Sequence, residues 1–119
     1  MTPAQESSLA RLLNELSTTS RNYAVARGEY VKTEKYLSIV KHRLMAAMRQ
    51  QDPKMSVAAA ETEATASQEY QEAVDGYAAA TEQATQLEWD MRIAQWRVEL
   101  FRTKEASRRV EMQHLHGVT

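Results

Sequence analysis

Apolar residues recur along this chain in alternating steps of three and four. The longest series is Ala66, Tyr70, Ala73, Tyr77, Ala80, Ala84, Leu87, Met91, Ala94, Val98 and Phe101. Over more than four heptads this spacing holds one apolar stripe on one helix face, the signature of a left-handed coiled coil. In the first half of the chain Tyr23, Tyr30, Leu37 and Leu44 lie seven apart, with Ala26, Thr33, Val40 and Ala47 between them. Two helices are predicted. Helix A runs from about 3 to 51 and helix B from about 57 to 115. The segment 51–56 separates them, because Pro53 lacks the N–H that a helix interior needs and turns Asp52 away from helical geometry. Ser56 is a good N-cap for Val57 and the alanines that follow. Thr2, Pro3 and Gln5 form a helix entry, with Gln5 three residues after Thr2 as in a capping box. Gly117 is a C-terminal stop.

The pattern is weakest at two places. Ser17, Thr18, Thr19 and Ser20 favour caps and turns over helix interiors, so helix A has a candidate break at 17–20. Gly28 and Gly76 each cost about 1 kcal/mol inside a helix relative to Ala. A hairpin turning near Pro53 sets the two glycines almost opposite. A close approach of backbones is the expectation there, and a hinge is the alternative.

Composition agrees with helices. Charged residues are 26%, apolar residues 43%, and there are only 3 Gly and 2 Pro, which excludes collagen, a strand-rich barrel and a disordered low-complexity chain. There is no cysteine, hence no disulfide frame and no thiol chemistry. The net charge of -1 conceals an asymmetry. Residues 21–50 hold seven bases (Arg21, Arg27, Lys32, Lys35, Lys41, Arg43, Arg49) against Glu29 and Glu34. Residues 56–85 hold six acids (Glu61, Glu63, Glu69, Glu72, Asp75, Glu82) and no base. Folding back lays one block against the other and disfavours a parallel or slipped register. Mimicry of nucleic acid is the other use of such an acidic block. The predicted fold is therefore all-α: one helical domain over 1–119, a long antiparallel hairpin resembling a coiled coil and completed by oligomerisation into a helical bundle.

That last expectation rests on the final third of helix B, which is apolar on two faces. Beside the main seam runs a second series, Trp89, Ile93, Trp96 and Leu100. A two-helix hairpin buries one stripe of each helix, so the second stripe calls for another partner: residues 3–17 or a second copy of the chain. These four residues are the predicted oligomer interface. Packing is the expected role of both tryptophans, and a stacking platform for bases is the alternative. Six bases interleave this segment: Arg92, Arg97, Arg102, Lys104, Arg108 and Arg109. They read as a solvated face with partners such as Glu105, or as contacts to nucleic acid or an acidic protein.

Motifs for catalysis are poor. Glu111 and His114 match half of a di-iron carboxylate pattern that needs two such motifs. His114 and His116 cannot share a helix face, and His42 has no partner motif. There is no Gly-rich phosphate loop, no zinc spacing and no marked nucleophile. No enzyme activity, cofactor or metal is expected. No apolar run approaches the roughly 20 residues of a membrane span. The first residues lack a basic and apolar leader, so a soluble cytoplasmic protein is expected.

The run Met91-Arg92-Ile93-Ala94-Gln95-Trp96-Arg97, followed by Arg102-Thr103-Lys104-Glu105-Ala106-Ser107-Arg108-Arg109, resembles small coil-forming proteins of tailed bacteriophages and prophages. So does Ser56-Val57-Ala58-Ala59-Ala60-Glu61 with Tyr70 downstream. The resemblance covers residues 20–112. It implies a phage-encoded protein of the bacterial host cytoplasm, encoded near single-strand annealing recombination genes, with no established activity. The expected function is that of a non-catalytic phage accessory protein acting by protein–protein interaction, linked to recombination or host-defence machinery. A nucleic-acid-binding accessory using the Arg92–Arg109 stripe is the alternative, and a phage structural or scaffolding protein is the third reading.

Overall fold

A computed structural model describes residues 1–117, so the last two positions of the expected domain lie outside the described residues. Those residues form three α-helices and no strand: α1 (Pro3–Gln51), α2 (Val57–Ala66) and α3 (Gln68–Gly117). The fold is an all-α helical hairpin.

The turn is built as its residues dictate. Asp52 donates its N–H to the Met48 carbonyl and ends α1, and the Asp52 carbonyl accepts from Met55 N. The Asp52 carboxylate accepts from Lys54 N at 3.2 Å, an Asx-type turn around Pro53. Ser56 sits in extended geometry and its hydroxyl accepts from Ala59 N, which starts α2. At the other end of α1 the capping box closes in both directions: Gln5 N donates to Thr2 Oγ1, and Thr2 N donates to Gln5 Oε1.

Three expectations change. First, α1 does not break at 17–20. Thr19 directs its hydroxyl back to the Glu15 and Leu16 carbonyls, and Arg21 donates to the Ser17 hydroxyl. These bonds satisfy Ser17 and Thr19 without diverting the backbone from its own ladder.

Second, helix B is not one helix over 57–115. Ser67 has φ -70° and ψ 152°, which separates α2 from α3. It serves both sides of the break. Its N–H and hydroxyl donate to the Ala64 carbonyl, and its Oγ accepts from Tyr70 N. The Gln71 amide bridges the gap to the Thr65 carbonyl. The break resets the seam: Ala60 and Ala64 are buried in α2, and Ala66, placed on the seam by simple periodicity, is exposed. From Tyr70 to Phe101 every expected seam position is buried or half-buried.

Third, the two glycines mark no close approach. A Cβ at Gly28 or Gly76 would meet nothing within 4 Å, and neither has positive φ.

Two compact units can be described within the chain, residues 1–23 with 86–119 and residues 24–85. In the unit of residues 24–85, Val40 is fully buried, and the rest of the core is Ala26, Ala60, Ala64, Ala73 and Ala84. The Tyr30 and Tyr77 hydroxyls lie 3.2 Å apart and share a hydrogen bond, with ring centroids 5.5 Å apart. The Arg27 guanidinium lies 5.3 Å from the Tyr30 ring centroid. The opposed charge blocks meet at Lys41–Glu61, 3.6 Å, and at Arg43–Glu69. In the unit of residues 1–23 and 86–119, Ala94 and Val98 are buried, and Leu9, Leu12, Leu16, Leu87, Met91 and Phe101 are half-buried.

Gly28→Ala and Gly76→Ala should each stabilise the protein by about 0.5–1 kcal/mol, since the methyl gains helix propensity and meets no atom. A rise in the urea midpoint with unchanged slope checks this. The hydrogen bond with Tyr77 holds the Tyr30 phenol above its ordinary titration range, assisted by the charge of Glu34. Because the folded value is raised, the stability this provides is complete below the ordinary tyrosine range and is lost as pH climbs through the raised value. Tyr77→Phe should bring one tyrosine back toward its ordinary midpoint in an alkaline ultraviolet titration. Unchanged midpoints would show that the bond does not form.

Candidate interaction surface

The geometry of α3 between Leu87 and Phe101 follows from its sequence. Residues 87, 91, 94, 98 and 101 turn inward, and the second series turns outward on the nearly opposite face, about 150° around the helix axis. Trp89 is 52% exposed, Ile93 43%, Trp96 53% and Leu100 55%. Residues 3–17 therefore do not cover the second stripe. The two indoles touch edge to face with centroids 6.2 Å apart, which holds them as one apolar ridge. Four large apolar side chains, each about half open to water on one helix face, form a contiguous patch of the kind that marks interaction sites.

The six bases do not form one stripe. Arg92 donates to Glu88 at 2.8 Å, and its guanidinium lies 5.9 Å from the Trp89 ring centroid. Arg97 donates to Glu15 of α1 at 2.8 Å. Arg108 lies 3.5 Å from Glu105. Among the described residues Arg102, Lys104 and Arg109 make no ion pair. Arg102 and Arg109 border a shallow hollow of about 270 Å³ with Met1, Leu9, Phe101 and Glu105. Lys104 and Arg97 border a second, of about 230 Å³, with Leu12, Leu100 and Phe101. A third, of about 350 Å³, is lined by Glu15, Thr19, Asp90, Ile93 and Arg97. Both hollows that include Arg97 also include a member of the exposed stripe, so the Arg97–Glu15 pair sits at the edge of the apolar ridge. Sequence spacing missed this pair because the two residues are 82 positions apart.

Other candidate groups stay dispersed. His42 Nδ1 donates to the Ser38 carbonyl at 2.7 Å, a local helix contact. Among the described residues no three His, Asp or Glu side chains converge as metal ligands would, so Glu111 and His114 acquire no companions. No described helix is long and apolar enough to cross a membrane. Exposed apolar residues outside the stripe include Val25, Tyr36 and Ile39 on α1 and Val110, Met112 and Leu115 near the end of α3.

No family model, curated protein or solved structure matches this chain.

Proposed function

We propose that this chain is a non-catalytic interaction protein that works through protein–protein contact, and that it self-associates through the Trp89, Ile93, Trp96 and Leu100 face of α3. The exposure of both tryptophans on one continuous helix face carries this reading. Interfaces draw most of their energy from a few aromatic anchors, and an indole left half in water gains most from burial against a partner. Resemblance to coil-forming phage proteins supports placing it among phage accessory factors of the host cytoplasm, beside recombination or host-defence machinery. Trp96→Glu should weaken association at least about thirtyfold. Helix content should stay close to wild type, since residue 96 is outside the seam. Light scattering across micromolar concentrations, with circular dichroism, reads both. A wild-type chain that stays monomeric at those concentrations rejects the self-association.

A second reading is that the protein binds nucleic acid. Its support is the set of three exposed bases, Arg102, Lys104 and Arg109, without ion pairs among the described residues. Three charges neutralise few phosphates, so binding should be weak, sequence-independent and lost by about 200 mM salt. Fluorescence anisotropy with a labelled single-stranded oligonucleotide at about 50 mM salt tests it. No binding by wild type removes the reading. Binding that survives Arg102→Glu/Arg109→Glu places the contact elsewhere.

A further inference from the structure

The stripe Trp89, Ile93, Trp96, Leu100 has the same spacing from either end, in steps of four, three and four. Exposed, polar Gln86 and Thr103 continue it three residues beyond each end. We infer that the occupant of this face is a second copy of the chain, lying antiparallel to the first about a two-fold axis that passes between Ile93 and Trp96. This rests on the reading of the face as an interface and adds the partner's direction and register.

Side-chain size supports the direction. In the antiparallel register Trp89 lies against the partner's Leu100, and Ile93 against the partner's Trp96. Every layer then pairs one indole with one aliphatic chain, which fills the space between helices evenly. A parallel pair would set Trp89 and Trp96 each against its own copy. Two layers would be crowded by paired indoles, and the layers at Ile93 and Leu100 would be underfilled.

Charge supports it independently. Asp90, Arg97 and Lys104 follow the stripe along one edge, and Arg92 and Glu99 along the other. Antiparallel helices oppose like edges, whereas parallel helices oppose unlike ones. The antiparallel pair therefore brings Asp90 to the partner's Arg97 and Arg92 to the partner's Glu99, each contact made twice by symmetry. The parallel pair would bring Arg92 to the partner's Arg97, base against base, and Glu99 to the partner's Lys104, so repulsion there offsets attraction. The acids concerned are available: Glu99 is exposed and makes no ion pair among the described residues, and Asp90 accepts only the Gln86 amide, at 3.4 Å. Arg92 and Arg97 keep their contacts to Glu88 and Glu15, because a guanidinium has five donors to share.

The chain has no cysteine, so introduced thiols report pairing without background. Gln86→Cys and Thr103→Cys lie at the polar ends of the stripe and leave its apolar residues intact. Each is treated with a short bis-maleimide, alone and after mixing, at a concentration where light scattering shows the wild type dimeric. The expected result is covalent dimer from the mixture and none from either variant alone. Self-linking of either variant overturns the antiparallel register but leaves self-association through this face standing. A dimer that links in none of the samples has its interface elsewhere and overturns the inference. A wild-type monomer in light scattering removes the interface reading together with it. Glu99→Arg should raise the dimer dissociation constant about tenfold, through two symmetry-related contacts turned repulsive. Arg92→Glu/Glu99→Arg should recover most of that loss. A dissociation constant unmoved by Glu99→Arg would also overturn the antiparallel pairing.

Discussion

A helix paired with one neighbour can bury one stripe of its surface, because its side chains radiate around the axis and the neighbour covers only the facing third. Much of this structure follows from that limit. The inward stripe of α3 is satisfied from Tyr70 to Phe101. Between Trp89 and Leu100 the helix carries a second apolar stripe, and the hairpin leaves it in water. The ordinary solution is polar residues on the outer face, and the first part of α3 uses it: Glu69, Glu72, Asp75 and Glu82 all face solvent. The departure between Trp89 and Leu100 leaves four large apolar side chains about half open to water.

In the unit formed by residues 24–85 small side chains fill the fully buried positions, and larger ones such as Leu37, Leu44, Met45, Tyr70 and Val74 are half-buried around them. One valine is fully buried, and alanines supply the other core positions. Alanines offer little area, so each contributes less than the roughly 1.5–3 kcal/mol of a large apolar side chain. They cost no side-chain entropy and favour the helix, which offsets part of that deficit. The tyrosine pair and the opposed charges add specificity of register more than stability, since exposed ion pairs contribute about 0–1 kcal/mol each.

The bases of the last third are also more constrained than their number suggests. Half of them are committed to carboxylates within the chain, at Glu88, Glu15 and Glu105. The others divide between two hollows on either side of Phe101. A charged groove for a phosphate backbone needs its cations in line, and this helix does not align them. The carboxylates paired with Arg92 and Arg97 lie beside the apolar ridge, so ion pairs border it.

Periodicity, one proline and two capping residues were enough to read the hairpin, its turn at 51–56 and the α3 seam from Tyr70 onward, because these depend on local geometry repeated along the chain. The doubly apolar segment was legible for the same reason: Trp89, Ile93, Trp96 and Leu100 share a face in any α-helix. The break at Ser67 had a signal, a capping residue ahead of Gln68 and Glu69, but the apolar steps from Ala66 to Tyr70 and Ala73 ran across it and periodicity prevailed. The continuity of α1 through 17–20 and the open surroundings of Gly28 and Gly76 were beyond local rules. The first depended on Ser17 and Thr19 finding hydrogen-bond partners within the helix, and the second on what stood opposite each glycine. The Arg97–Glu15 pair and the failure of residues 3–17 to cover the second stripe were decided only by tertiary structure, because both depend on how α1 lies against α3, which spacing along the chain does not fix.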